Sequence, residues 1–353
     1  MNIRKTIPWK VCKWIYYKFR INFIFQRIHY IMHRHFARYD IIAEEHLKHF
    51  GRDFPEKTFY VVRSFKPAGL LNDFHCVVDH TYYAISKGYI PVVNWESYLS
   101  WHTEKTPIEV GGSITLNSWE YFFEQPCGYS LKDIKKAKNV ILGDAVKHNN
   151  YFKDNIVSRA FPLKDKNAIS KYNEFVSKYL RLNLNTRECL NKYKQLLFDN
   201  KNNVLGVSYR VAGYKNTDGT GVKDHNIGPS IEEMIEKVSE IFYKEKFNYI
   251  FISTDEQEIV DEIYKVLPED KIINPTRKRF KTNNQKNYIE EYILLYMKKE
   301  SIFEYELNYL TEVCLLSECD GIVASCFSHG VLFALGHNNN KYRHKYIFEL
   351  GTY

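Results

Sequence analysis

Several signals that would narrow the class of this chain at once are missing. Residues 1–39 contain no Asp or Glu, no Cys-x-x-Cys pair occurs anywhere, and no Pro/Gly-rich linker precedes residue 200. Between Trp9 and Met32 there is no uncharged apolar run of the roughly 20 residues that a spanning helix needs, and no small-residue cleavage site of a signal peptide. The 7 cysteines are odd in number and scattered. The closest set, Cys314, Cys319 and Cys326, has no His at zinc-ligand spacing, so neither a disulfide framework nor a zinc ribbon is expected. Free thiols suit a reducing cytoplasm.

What is present is ordinary globular material. A chain of 353 residues exceeds the size at which a single core stops growing, so two domains are expected. With 44% hydrophobic, 16% aromatic and 26% charged residues, disorder is excluded over most of the length. The net charge of +8 is uneven. Nine Lys or Arg fall in residues 1–39, leaving 41 basic against 42 acidic residues in the remainder. A near-neutral body offers no basic face for phosphates along a duplex, so no nucleic-acid partner is expected.

The N-terminal segment, residues 1–50, mixes Trp14, Tyr16, Tyr17, Phe19, Phe23 and Phe25 with Lys18, Arg20 and Arg27. That composition fits a basic amphipathic helix lying in a membrane interface, with residues 1–39 making peripheral contact with anionic lipid. The other reading is a helix whose apolar side packs on its own protein.

Thr58–Arg63 reads as a strand, Pro67, Ala68 and Gly69 as a turn, Asn72–Lys87 as a helix and Ile90–Asn94 as a second strand. Strand, turn, helix and strand make one βαβ unit, whose Gly69 turn would lie at the ligand-binding edge of a parallel sheet. Asn72 or Asp73 reads as a helix-start cap, His75 as a partly buried residue, and Asn117–Phe123 as aromatic packing. Two helical stretches, Lys166–Leu180 and Thr186–Phe198, lead to a domain boundary near residue 200.

Asn203–Tyr209 is a buried strand that delivers Arg210 at its end, followed by a long glycine-bearing loop over 211–228. Ser230 opens the next helix. Tyr249–Asp255 is another strand, ending in polar residues, with Asp255 or Thr254 as cap of the helix running to Val266. Tyr305–Ser317 reads as a helix carrying Glu312 on an apolar stripe, and Cys319–Ala324 as a strand. Ser325–Gly330 then turns into a helix at Val331, with His329 and His337 read as solvated or capping residues. Small hydroxyls at a helix start suit a phosphate oxygen, and an Arg one strand away supplies a fixed positive partner for the same diphosphate.

Gly206–Arg210, Ser253–Asp255, Leu316–Asp320 and Ser325–Ser328, in that order, resemble motifs of the α-1,6-fucosyltransferase and nodulation fucosyltransferase superfamily. Gly88–Val93, Asn117–Pro126 and Lys345–Tyr353 resemble its bacterial surface-polysaccharide branch, and the likeness runs over residues 58–353. It implies an α/β chain of the GT-B type, with two Rossmann-like domains facing a cleft. Residues 51–200 would be the acceptor-side domain and 201–353 the nucleotide-sugar domain.

The implied activity is metal-independent, inverting transfer of a sugar, fucose in this family, from a GDP-sugar donor, with no further cofactor. The implied acceptor is a glycan or lipid-linked oligosaccharide of bacterial surface-polysaccharide synthesis, handled in the cytoplasm at the inner face of the inner membrane. By this resemblance Arg210 matches the arginine that holds the β-phosphate. Ser328 matches a serine that contacts phosphate, while Ser208, Asp255, Ser325 and Gly69 are further donor-site candidates from their places at strand ends and turns. Glu312 falls where an acid accepts hydrogen bonds from guanine N–H groups. Asp218, Asp224 and His225 remain alternative general bases. The chain departs from the family motif in having Ser208, Val211 and Gly213 where a His, a second Arg and an Asp stand. Another nucleotide-sugar donor, or a non-catalytic nucleotide- or glycan-binding subunit, are the alternatives this leaves.

Overall fold

Phe59–Val62 is a continuous apolar run, all 0–2% exposed. Such a run belongs to a central parallel strand covered on both faces. The computed structural model describes residues 44–63, 69–96, 102, 104, 106–144, 155–160, 165–210, 225–277, 279 and 301–353. The expected membrane-interface helix within residues 1–39 lies outside the described residues, as do Asp218 and Asp224.

In chain order, the first half contains β1 (His46–Lys48), β2 (Asp53–Arg63), α1 (Leu70–Ser86), β3 (Ile90–Asn94), β4 (Ile108–Val110) and β5 (Ser113–Thr115). A 3-10 turn at Ser118–Tyr121, α2 (Leu131–Ile134), β6 (Ala137–Leu142), α3 (Ile156–Ala160), α4 (Lys166–Tyr179) and α5 (Leu184–Phe198) follow. Its main sheet runs β1-β6-β2-β3, with β6, β2 and β3 parallel and β1 antiparallel at the edge. The expected βαβ unit is therefore β2-α1-β3, Phe59 pairing with Ile90 and Arg63 with Asn94. The Asn117–Phe123 segment packs as expected: Trp119, Tyr121, Phe122 and Phe123 are all 0–1% exposed.

The second half contains β7 (Val204–Tyr209), α6 (Ile231–Lys244), β8 (Tyr249–Thr254), α7 (Gln257–Val266), β9 (Ile272–Ile273), α8 (Ile302–Ser317), β10 (Gly321–Ala324), α9 (His329–His337) and β11 (His344–Ile347). They form an all-parallel sheet in the order β11-β10-β7-β8-β9. Ser230 starts α6 with a capping box shared with Glu233, the arrangement that stops the chain in loop and starts it in helix. Gly206 is required by packing, since a Cβ there would meet Leu316 Cδ1 of α8 at 2.5 Å.

The expected boundary near residue 200 falls between α5 and β7. Helices α4 and α5 nevertheless pack on the second half, α4 against α9 and α5 against α8. One apolar cluster accordingly runs from Tyr60 and Phe74 through Tyr172 to Leu332 and Phe333, joining the halves.

Candidate active site

Chain order fixes where a ligand site can form in the second sheet. From β7 the chain steps to β8 and β9 on one side, and only later to β10 and β11 on the other. The carboxyl ends of β7 and β10 flank this reversal, the place where open parallel sheets bind ligands. Arg210 leaves β7 there and Ser325 leaves β10 there. The Arg210 N–H donates to Ser325 Oγ (2.9 Å), Ser325 Oγ–H donates back to the Arg210 carbonyl (3.2 Å), and the Ser325 N–H donates to the Ser208 carbonyl (2.9 Å). Ser208 thus enters through its main chain, fixing the serine turn to the strand that carries Arg210.

Ser328 caps α9, its Oγ accepting the Val331 N–H at 3.2 Å, so a nine-residue helix starts four residues after Ser325. Asn226 Nδ2 donates to the Phe327 carbonyl (2.6 Å), and the Tyr353 N–H donates to the His225 carbonyl (3.0 Å). His225 is therefore brought beside the serine turn by its neighbour and clasped by the chain's last residues. Gly69 caps α1 through its carbonyl, which accepts the Asn72 and Asp73 N–H groups at 2.9 and 3.1 Å. Asn72 Nδ2 in turn lies 3.1 Å from His329 Nε2, which sets the Gly69 turn against the start of α9.

Asp255 and Glu312 converge, but on a residue the sequence reading passed over. Arg277 lies 3% exposed between them. Its Nη2 donates to Asp255 Oδ1 and to the Thr254 carbonyl (3.0 Å), and its Nε lies 3.0 Å from Glu312 Oε2. Asp255 Oδ1 also accepts the Tyr305 hydroxyl at 3.1 Å. Burial alone would raise the Asp255 carboxyl, but Arg277 and then Arg210 outweigh it and hold the group below its usual range. Burial raises Glu312, opposed by Arg277 and Arg279. Arg277 and Arg279 sit in a basic run, Arg277-Lys278-Arg279, just past the carboxyl end of β9. That place in the sheet, more than any spacing, was the available signal.

Three expectations are corrected. Asp255 is not the cap of α7: Glu256 holds that position, and the Asp255 side chain faces Arg277 instead. Asp73 does not cap α1 with its side chain; it is 3% exposed and its Oδ2 lies 3.1 Å from His102 Nε2. His329 is not a cap and is only partly exposed, because Ser328 caps α9 and the His329 ring contacts Asn72 and His75. His337 is exposed, as expected. Among the described residues, no group of three His, Cys, Asp or Glu side chains is placed to hold a metal ion. No described helix is long and apolar enough to cross a membrane.

The path of the chain resembles those of several solved proteins. The NodZ fucosyltransferase from Bradyrhizobium matches at 12% identity over 79% of this chain and 92% of its own, with a TM-score of 0.44. Arabidopsis thaliana FUT1, solved in complex with GDP, matches at 13% identity over 84% of this chain and 71% of its own, TM-score 0.45. POFUT1, also solved with GDP, matches at 10% identity over 82% of this chain and 98% of its own, TM-score 0.43. All three neighbours are similar to this chain at low identity. No family model and no curated protein matches the sequence.

Proposed function

We propose that this protein is a glycosyltransferase that moves a sugar, fucose by its motif resemblance, from a GDP-sugar to a glycan or lipid-linked acceptor of bacterial surface-polysaccharide synthesis. The observation that carries this reading is the junction of Arg210 and Ser325 at the reversal point of the second sheet, closed by a 2.9 Å bond between them. A guanidinium and a hydroxyl-bearing helix start at one sheet edge are suited to a diphosphate. The motifs of residues 58–353 supply the donor class, and the basic aromatic segment 1–39 supplies peripheral attachment to an anionic bilayer.

In the proposed step, a base in the 214–228 loop takes the proton of the acceptor hydroxyl. His225 is the described candidate, alongside Asp218 and Asp224. The acceptor oxygen attacks the anomeric carbon, a new C–O bond forms, and the bond from that carbon to the β-phosphate oxygen breaks. Arg210 and the Ser325–Ser328 turn stabilise the charge that develops on the departing GDP. A single displacement inverts the anomeric centre.

The test is a titration of GDP, UDP and CDP into the whole chain and into Arg210→Ala, read as thermal shift. GDP should stabilise the wild type most, and Arg210→Ala should lose that shift while melting normally without ligand. Equal shifts with wild type and variant would overturn the assignment.

A further inference from the structure

We infer that Arg277 is a positioning residue: it balances the negative charge of Asp255 and Glu312 at the sheet edge so that Arg210 is left to face a nucleoside diphosphate. This deepens the donor-site reading above and rests on it.

Among the described residues the charges at this edge balance: Arg210, Arg277 and Arg279 stand against Asp255, Glu256 and Glu312, buried carboxylates 6%, 4% and 2% exposed. The position after Arg210, where the resembling motif has a second arginine, is Val211. A second guanidinium does reach this edge, but from a segment 67 residues later in the chain. Arg277 contacts both carboxylates, through Nη2 to Asp255 and through Nε to Glu312 at 3.0 Å. Its Cζ sits 5.7 Å from the Tyr305 ring centroid and 5.6 Å from that of Tyr309, which close it in.

At 3% exposure Arg277 acts on a ligand through its partners. Asp255 is aimed at Arg277 and Tyr305, and Arg210 adds its field to the same carboxylate. Without Arg277, Arg210 is the other arginine that acts on Asp255, and among the described residues carboxylates at the edge then outnumber guanidiniums. An anionic ligand then meets repulsion, and the Arg210 charge is drawn to Asp255. Buried charges of this kind are costly when one partner is removed, because the other stays behind unpaired.

The experiment is calorimetric titration of GDP and of inorganic pyrophosphate into the full chain. The proteins are the wild type, Arg277→Gln, Arg277→Lys, Asp255→Asn and the double variant Arg277→Gln/Asp255→Asn. Arg277→Gln should weaken both ligands by at least about tenfold. Arg277→Lys should keep most of the affinity, and removing the Asp255 charge in the Arg277→Gln background should restore part of it. The deficit of Arg277→Gln should also narrow as pH falls and Asp255 takes a proton. Wild-type affinity in a folded Arg277→Gln, or no recovery in the double variant, would overturn the assignment.

If Arg277→Gln does not fold, Asp255→Asn must bind pyrophosphate more tightly than the double variant; equal binding overturns it. Absence of wild-type binding to both ligands would sink the donor-site reading instead. The Asp255 carboxyl titration by NMR then still decides the role of Arg277, being shifted upward in Arg277→Gln if the inference holds and unmoved if it does not.

Discussion

The Nδ1 atoms of His75 and His329 lie 2.9 Å apart, one on the first helix of the first half and the other at the start of α9 in the second. His75 Nε2 meets the Tyr172 hydroxyl at 2.6 Å, and His329 Nε2 faces Asn72 at 3.1 Å. Two ring nitrogens in contact can share only one proton between them, so the two rings cannot both be protonated at once. Burial and then His329 hold His75 far below its usual range, while burial and then Arg210 lower His329 to about 4.

The acid limb of stability follows from that pair. An unfolded histidine takes a proton near pH 6.5, whereas His329 in the folded chain takes one only near pH 4. Between these values the unfolded state binds more protons, so stability falls as pH drops from about 6.5 toward 4. Urea melts over this window should show the slope, and His329→Gln should flatten it. An unchanged slope in that variant would remove the pair from the account.

His102 has the opposite sign. Its ring is 1% exposed, with Nε2 3.1 Å from Asp73 Oδ2 and Nδ1 2.5 Å from Glu306 Oε1, and it stacks on Trp95. Asp73 belongs to α1 and Glu306 to α8, so one imidazolium clasps both halves. Burial alone would lower His102, but Glu306 and Asp73 outweigh it and raise it to about 10. The folded state therefore keeps a proton that the unfolded state releases near pH 6.5. The clasp's contribution is complete below that pH and is lost as pH rises through about 10. His102→Gln should cost about 3 kcal/mol at neutral pH, since it leaves two buried carboxylates without their cation. It should also remove the alkaline decline in melting temperature.

Gly336 is set by the neighbouring helix. A Cβ at this position would run into the ring of Tyr172, on α4. Tyr172 is fully buried and its hydroxyl holds His75, so it has no room to retreat. Gly336→Ala should therefore destabilise by about 1–3 kcal/mol, despite the better helix propensity of Ala. Denaturant unfolding measures this, and a gain in stability would show that α4 and α9 are less tightly packed than their contact implies.

The parallel strands were legible because they are buried on both faces: Ile90–Asn94 coincides with the expected run, Tyr249–Thr254 ends one residue before the expected Asp255, and Val204–Tyr209 starts one residue late. Arg210 and Ser325 were legible for the same reason, since a strand end in a parallel sheet is also an address. Arg277 was not, because its role depends on a fold that carries the segment after β9 over to α8. The paired histidines were hidden too: His75 and His329 are 254 positions apart, and neither has a local pattern that marks it. The start of α6 was legible at Ser230, but α9 starts two residues before the expected Val331 and α8 three before the expected Tyr305, and the cap of α7 was misplaced, where Asp255 answers to Arg277 across the sheet.

Ser325 ties the strand end to the turn, and its loss should be felt in both stability and binding. The side chain is 1% exposed, accepts the Arg210 N–H and donates to the Arg210 carbonyl. Ser325→Ala leaves that N–H without its acceptor at a site with little access to water, a cost of about 1–3 kcal/mol. It also frees the backbone that aims Arg210, so GDP affinity should fall even though no charge is removed. Ser325→Thr keeps the hydroxyl and should restore both quantities in part, provided the added methyl is accommodated beside Cys326. Unfolding free energy and GDP titration on the two variants separate the effects. If Ser325→Ala loses stability while binding GDP as the wild type does, Ser325 is a fold residue only, and the serine turn no longer supports the placement of the diphosphate.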